Sequence, residues 1–329
     1  MKAASSFLAS LAFASAALAG CGQQAADPSL TPEARPFANI VNYRFAARFP
    51  AWAPRPKGLA LDCAGRILVA GAGMVAELAP DGERRRLITI DGEAHCIAPS
   101  RDGGFFVGLT QRVDEYDKDG AKTSSWGKPG KGEGELGNVT SIAVSDYNLL
   151  VADALNRVVH RFDTTGDFIT SIGKRDPSGA PGIITPSMYL DCAVSTSNEI
   201  VIGNPGRLRV EIFDLDGKML RTWGAGGAAP NRFAPCCNPI HVAIGPNGEI
   251  VTVEKGLPRI KVHDSRGNLL AVLGIHTARA AGQSVSDPAP SDTPLFGDVA
   301  VDASGRILVI YSPASEIWIF EPPGGERKP

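Results

Sequence analysis

A strand pattern repeated six times constrains this chain more than any other feature of its sequence. A short apolar strand recurs as GLALD at 58 to 62, CIAPS at 96 to 100, SIAVS at 141 to 145, DCAVS at 191 to 195, HVAIG at 241 to 245 and DVAVD at 298 to 302. A turn and a second strand follow each one (RILVAG, GFFVGL, NLLVAD, EIVIGN, EIVTVE, RILVIY), and then a third (MVAELA, RVDEYD, VVHRFD, RVEIFD, RIKVHD, EIWIFE). Third strands run into turns closed by Gly82, Gly120, Gly166, Gly217, Gly267 and Gly324, where a hairpin connection needs the positive φ that glycine adopts without strain. Fourth strands end in Trp126-Gly127, Ile172-Gly173, Trp223-Gly224 and Leu273-Gly274. Four short antiparallel strands per unit, at a period of about forty to fifty residues, is the pattern of a propeller blade. Past the N-terminal apolar run, no helical period competes with it.

The sixth unit lacks a fourth strand, since only Glu321-Pro322-Pro323-Gly324 and a charged tail at 325 to 329 follow its third. At the other end, an orphan strand from Ile40 to Phe49 precedes the first unit. We expect that strand to complete the sixth blade and close the ring, which removes the unpaired edges of an open sheet. The predicted fold is therefore all-β: a six-bladed β-propeller over 40 to 324, with four antiparallel strands per blade.

The first residues read as a processing signal. Lys2 precedes an apolar run from Phe7 to Leu18, too short for a stable transmembrane helix, which ends in Leu18-Ala19-Gly20-Cys21. This ending resembles the lipobox cut by lipoprotein signal peptidase before a diacylglyceryl-modified cysteine. Residues 1 to 20 are then a signal peptide, and Cys21 is the lipidated N-terminus, anchored by its acyl chains without a spanning helix. Residues 21 to 39, rich in Gln, Ala, Pro and Ser, form a flexible tether. The resemblance to Gram-negative lipoproteins implies, from Gly22 in place of a retaining Asp, the outer membrane facing the periplasm.

A formal net charge of -2 and the lack of any Lys/Arg block argue against nucleic acid as a partner. The domain is expected to be monomeric. Beyond Cys21 lie Cys63, Cys96, Cys192, Cys236 and Cys237, an odd number for an oxidising compartment.

The Ile-Ala-Val strands, the Val-Ala-Asp stretch at 151 to 153, Asn156-Arg157 and the Val-x-x-Phe-Asp third strand resemble the NHL-repeat family over about 41 to 322. The resemblance implies the propeller fold but no single activity, because six-bladed propellers host lyases, lactonases, receptors and protein-binding modules.

Aligning the inner strands puts Gly58, Cys96, Ser141, Asp191, His241 and Asp298 at one position near the channel mouth, on the face where propeller function concentrates. The surrounding loops add His95, Cys236, Cys237, Asn204 and Glu254, and Cys192 sits one residue into its strand, whereas Cys63 falls in a turn on the opposite face. Cys96, Cys236, Cys237 and His241 are the candidate ligands for zinc or copper, since soft thiolates beside imidazole suit those ions. For Cys236-Cys237 the readings that stay open are a vicinal disulfide, a soft-metal thiolate pair, a disulfide to a distant cysteine, or buried packing. Asp191 and Asp298 are candidates for binding or for capping the polar channel through water. His160 and His263, and the recurring Arg112, Arg209 and Arg259, read as structural positions away from the channel.

Two function classes follow. The first is a binding module that takes protein, peptide or a small ligand on its channel face. The second is a metal-dependent or redox enzyme, or a metal carrier, built on the Cys/His/Asp cluster. The resemblance to peptide-amidating lyases and calcium lactonases is partial, because the ligand histidines of the one and the Glu/Asn/Asp set of the other are matched only by His95 and His241, and by Asp191, Asn204 and Asp298. There is no phosphate loop, Ser-His-Asp triad or CxxC motif.

Overall fold

The computed structural model describes residues 41–175, 182–286 and 293–324. The LAGC motif, Cys21 and the whole tether lie outside the described residues. Six blades of four antiparallel strands form a closed ring, with inner strands Gly58–Leu61, Cys96–Pro99, Val139–Val144, Asp191–Val194, His241–Ile244 and Phe296–Val301. In the first blade one continuous run, Ile67–Leu78, serves as second and third strand: its first part pairs with Gly58–Leu61 and its second with Arg84–Glu93.

The second strands read as unbroken apolar runs because neighbouring blades cover both of their faces. Asn148–Asp153 and Ile200–Asn204 are buried at every residue, which erases the alternation of a half-exposed strand. Outer strands such as Met219–Trp223 remain largely exposed. Blade-to-blade packing uses the turn glycines. A Cβ on Gly267 would lie 2.4 Å from the Trp223 ring of the preceding blade, and one on Gly166 would lie 2.9 Å from Trp126. The Trp-Gly ends of the outer strands thus pack between blades, Trp126 against Phe162 and Trp223 against His263.

The N-terminal strand closes the ring. Arg44–Pro50 pairs antiparallel with Glu316–Glu321 as the outermost strand of the sixth blade, with Arg44 opposite Glu321 and Pro50 opposite Glu316. Phe45 sets its ring edge-on to Trp318 and Phe320, and Phe49 fills the space that Gly82 of the first blade leaves. Among the described residues no helix is long and apolar enough to cross a membrane.

Candidate functional site

Three of the aligned inner-strand residues, Ser141, Asp191 and Asp298, each grip the next blade. Asp191 Oδ2 accepts the Val242 amide of the fifth blade at 2.9 Å, and Asp298 Oδ2 accepts the Leu59 amide of the first at 2.8 Å. Ser141 Oγ meets the Cys192 amide at 3.4 Å by the same step. Gly58 has no side chain to contribute because a Cβ there would sit 2.8 Å from the Cys96 backbone. The two aspartates therefore cap backbone amides directly, where the sequence suggested capping through water.

His241 lies between them. Its Nδ1 is 3.1 Å from Asp191 Oδ2 and 3.7 Å from Asp298 Oδ1. Burial pushes the Asp298 carboxyl up to about 7, helped by the charge of Asp191 and opposed by His241. Burial alone would depress the His241 imidazole, but its hydrogen bond to Asp191 and the charges of Asp191 and Asp298 hold it above its ordinary value. Near neutral pH this cluster can bind a cation, or hold and release a proton.

The cysteines do not join it. Among the described residues, the group of three or more His, Cys, Asp or Glu donors that converges is Asp191, His241 and Asp298. Cys96 turns its sulfur onto Gly108, where a Cβ would be only 2.3 Å away, and packs with Val139 and Ile142 between blades. Cys192 packs in the next interblade core. Burial, with nearby aspartate charge, pushes both thiols up, and both side chains pack in apolar cores between blades. Cys236 and Cys237 each take a left-handed backbone, φ 68° and 72°, with their sulfurs 3.4 Å apart and not disulfide-bonded. Their loop is fixed by buried Asn238, which donates to the Ala234 and Lys255 carbonyls. Cys63 is exposed in its turn at the opposite face.

His95 bonds the Val139 carbonyl through Nδ1 at 2.9 Å, and burial lowers its pKa. Asn204 and Glu254 are fully buried and hold the loops that enter their blades: Asn204 Oδ1 accepts the Ile184 amide, and Glu254 Oε1 accepts the Ala234 amide. Asp153 plays the same part in the third blade, accepting the amides of Gly137 and Asn138. These polar groups are committed inside the protein and do not line the channel. Arg112 and Arg259 tie the loops between blades, through the carbonyls of Asp91 and of Ala228 and Arg232.

Sequence reasoning missed Tyr189, whose ring meets His241 at 6.3 Å and 79° and carries the Lys255 ammonium 5.2 Å from its centre. Its position two residues before Asp191 was the available signal. On the opposite face a cleft of about 370 Å³ is lined in part by Ser195, Gly245 and Asp302. Its Arg221 and Glu199 neutralise each other in a two-pronged pair, both contacts at 2.7 Å.

No known protein family and no curated protein matches this sequence. Solved structures do resemble it. Virginiamycin B lyase from Staphylococcus aureus matches at TM-score 0.57 and 14% identity, over 85% of this chain and 99% of that one. A catalytically inactive His-to-Ala variant of the lyase with quinupristin matches at 0.56 and 12%, over the same shares. The WD40 β-propeller domain of Doa1 matches at 0.55 and 14%, over 83% of this chain and 79% of that one. At such identities the likeness concerns the fold: the chain is a six-bladed β-propeller with a polar cluster at one channel mouth.

Proposed function

We propose that this is a lipid-anchored, extracytoplasmic propeller of the NHL type that binds its ligand at the channel mouth. The observation that carries the reading is the pair of carboxylates, Asp191 and Asp298, flanking His241, with no Lys or Arg in any of the six inner strands to balance them. A protonated His241 balances only one of the two carboxylates, and a buried carboxylate left without a counter-charge is costly, so the mouth remains complementary to positive charge. The NHL assignment is supported by the work of its motif residues: Asp153 and Asn156 bond to each other and to the loop entering the third blade. The LAGC sequence supports the anchor and a periplasmic setting.

Thermal-shift screening of the full chain against short peptides and small cationic metabolites, with Asp191→Asn, His241→Gln and Asp298→Asn alongside, tests the binding site. Compounds that stabilise the wild type and lose their effect in the variants are expected. Compounds that stabilise all four proteins equally would move binding off the channel mouth.

The 3.1 Å contact from Asp191 to His241 favours a second reading, acid–base catalysis, because a carboxylate that orients an imidazole is the arrangement of a general base. The lyase neighbour that is inactive as a His-to-Ala variant is compatible with it. Turnover of a screened compound that disappears in His241→Gln would establish it over plain binding.

A further inference from the structure

The geometry points to a divalent first-row transition metal ion, zinc foremost, as the positive charge held at the channel mouth by Asp191, His241 and Asp298. This deepens the proposed function and rests on its reading of the mouth as a cation-complementary site. Ligand atoms from the three residues all lie within 4.8 Å of one another, and His241 Nδ1 is 3.1 and 3.7 Å from the two carboxylates. Donors bound about 2.0–2.2 Å from one ion, at tetrahedral or square angles, stand roughly 2.8–3.6 Å apart, so the 3.1 Å contact falls within this span and the 3.7 Å contact just beyond it. The protein therefore already holds the edges of a coordination shell.

The donors come from three consecutive blades at one strand register, and their orientation is set from outside the site. The Val242 amide fixes Asp191, and the Leu59 and Val299 amides fix Asp298. Such outer partners aim ligating carboxylates at metal sites. Lys255, the basic side chain of the adjacent loop, is drawn onto the Tyr189 ring and the Ser187 hydroxyl, and neither carboxylate receives it. One imidazole with two carboxylates suits zinc and its neighbours better than calcium, which takes six to eight oxygens. Binding displaces the proton shared by His241 and Asp191 to solvent, since the ligating nitrogen must be unprotonated. Three protein ligands leave a coordination position open for the organic ligand.

The test uses the full chain, prepared without a His tag, stripped with chelator and titrated with zinc chloride by calorimetry, beside Asp298→Asn, His241→Gln and a Cys236→Ala/Cys237→Ala variant. Asp298→Asn keeps an oxygen for the Leu59 amide, giving up only the contact from the adjacent Val299 amide, and so spares the grip between blades. We expect a single zinc per chain, proton release, affinity at least about 100-fold weaker in the first two variants, and unchanged affinity in the cysteine variant. Cobalt(II) loaded into the wild type gives a readout that needs no variant: weak visible bands without sulfur-to-cobalt charge transfer are expected. Absence of stoichiometric zinc binding, a sulfur-to-cobalt band, or zinc lost only with the cysteines would overturn the inference. If zinc fails to bind while cationic compounds still stabilise the wild type and not the variants, the metal is wrong and the binding reading stands.

Discussion

Asp298 and His263 show how much a single buried polar group decides in this molecule. Asp298 takes the Leu59 amide at 2.8 Å across the seam between the last and first blades. Asp298→Ala leaves that amide without an acceptor and is expected to cost about 1–3 kcal/mol in urea unfolding, whereas Asp298→Asn costs less. A loss from Asn as large as that from Ala would place the effect in the charge and not in the cap. His263 lies between Trp223 and Phe233, and burial together with the Lys261 charge lowers its pKa from 6.5 to about 3. The unfolded chain binds a proton there that the folded chain refuses, so the stability it contributes is present above pH 6.5 and is lost as pH falls toward 3. The slope is up to about 1.4 kcal/mol per pH unit. His263→Phe is expected to flatten the fall in urea midpoint between pH 7 and pH 5; an unchanged slope would assign it to other groups, such as His160, whose pKa burial also lowers. At this scale the sequence aligned Cys96, Asp191, His241 and Asp298 correctly on inner strands, but it could not tell which side chains point into the channel. The glycine opposite Cys96 in register, Gly108, was the sign that its sulfur has room between the blades.

At the scale of elements, the strand that closes the ring follows from a missing strand at one end and a surplus one at the other. It was legible because every other unit supplies its own fourth strand. Phe45 is its anchor, 8% exposed and edge-on to two aromatic rings of the sixth blade. Phe45→Ala is expected to cost about 3–5 kcal/mol, and deleting residues 40 to 50 is expected to lower the melting temperature of the whole domain, since it bares the edge of Glu316–Glu321. A truncated protein that melts with the intact one would refute ring closure by this strand. The loops were harder to read. Asn204 and Glu254 look like channel-face polar residues in the sequence, but they are the pins of entering loops, a role visible only once the second strand is seen to end beneath the loop it holds. The sequence divides RILVAG from MVAELA, and the structure joins the two as one run, Ile67–Leu78, through Gly73 at φ 69°.

For the whole molecule, the fold and the functional face rest on different evidence. Repeat period fixes the ring, because stacked blades are the arrangement that buries both faces of each apolar second strand. The proposed lipid anchor rests on LAGC and predicts that N-terminal peptides of membrane-extracted protein begin at Cys21 and carry diacylglyceryl mass in mass spectrometry, with Cys21→Ser abolishing that species. An unmodified N-terminus preceding Cys21 in the mature protein would contradict it. The central claim is that ligand and metal meet at one mouth of the channel and not at the cysteine loop or the cleft on the opposite face. Diffraction at the zinc absorption edge from zinc-soaked crystals tests it most directly. The account predicts an anomalous peak about 2.0–2.2 Å from His241 Nδ1 and from oxygens of Asp191 and Asp298. A peak at Cys236 and Cys237, or beside Glu199 in the opposite cleft, with the channel mouth empty, would contradict it.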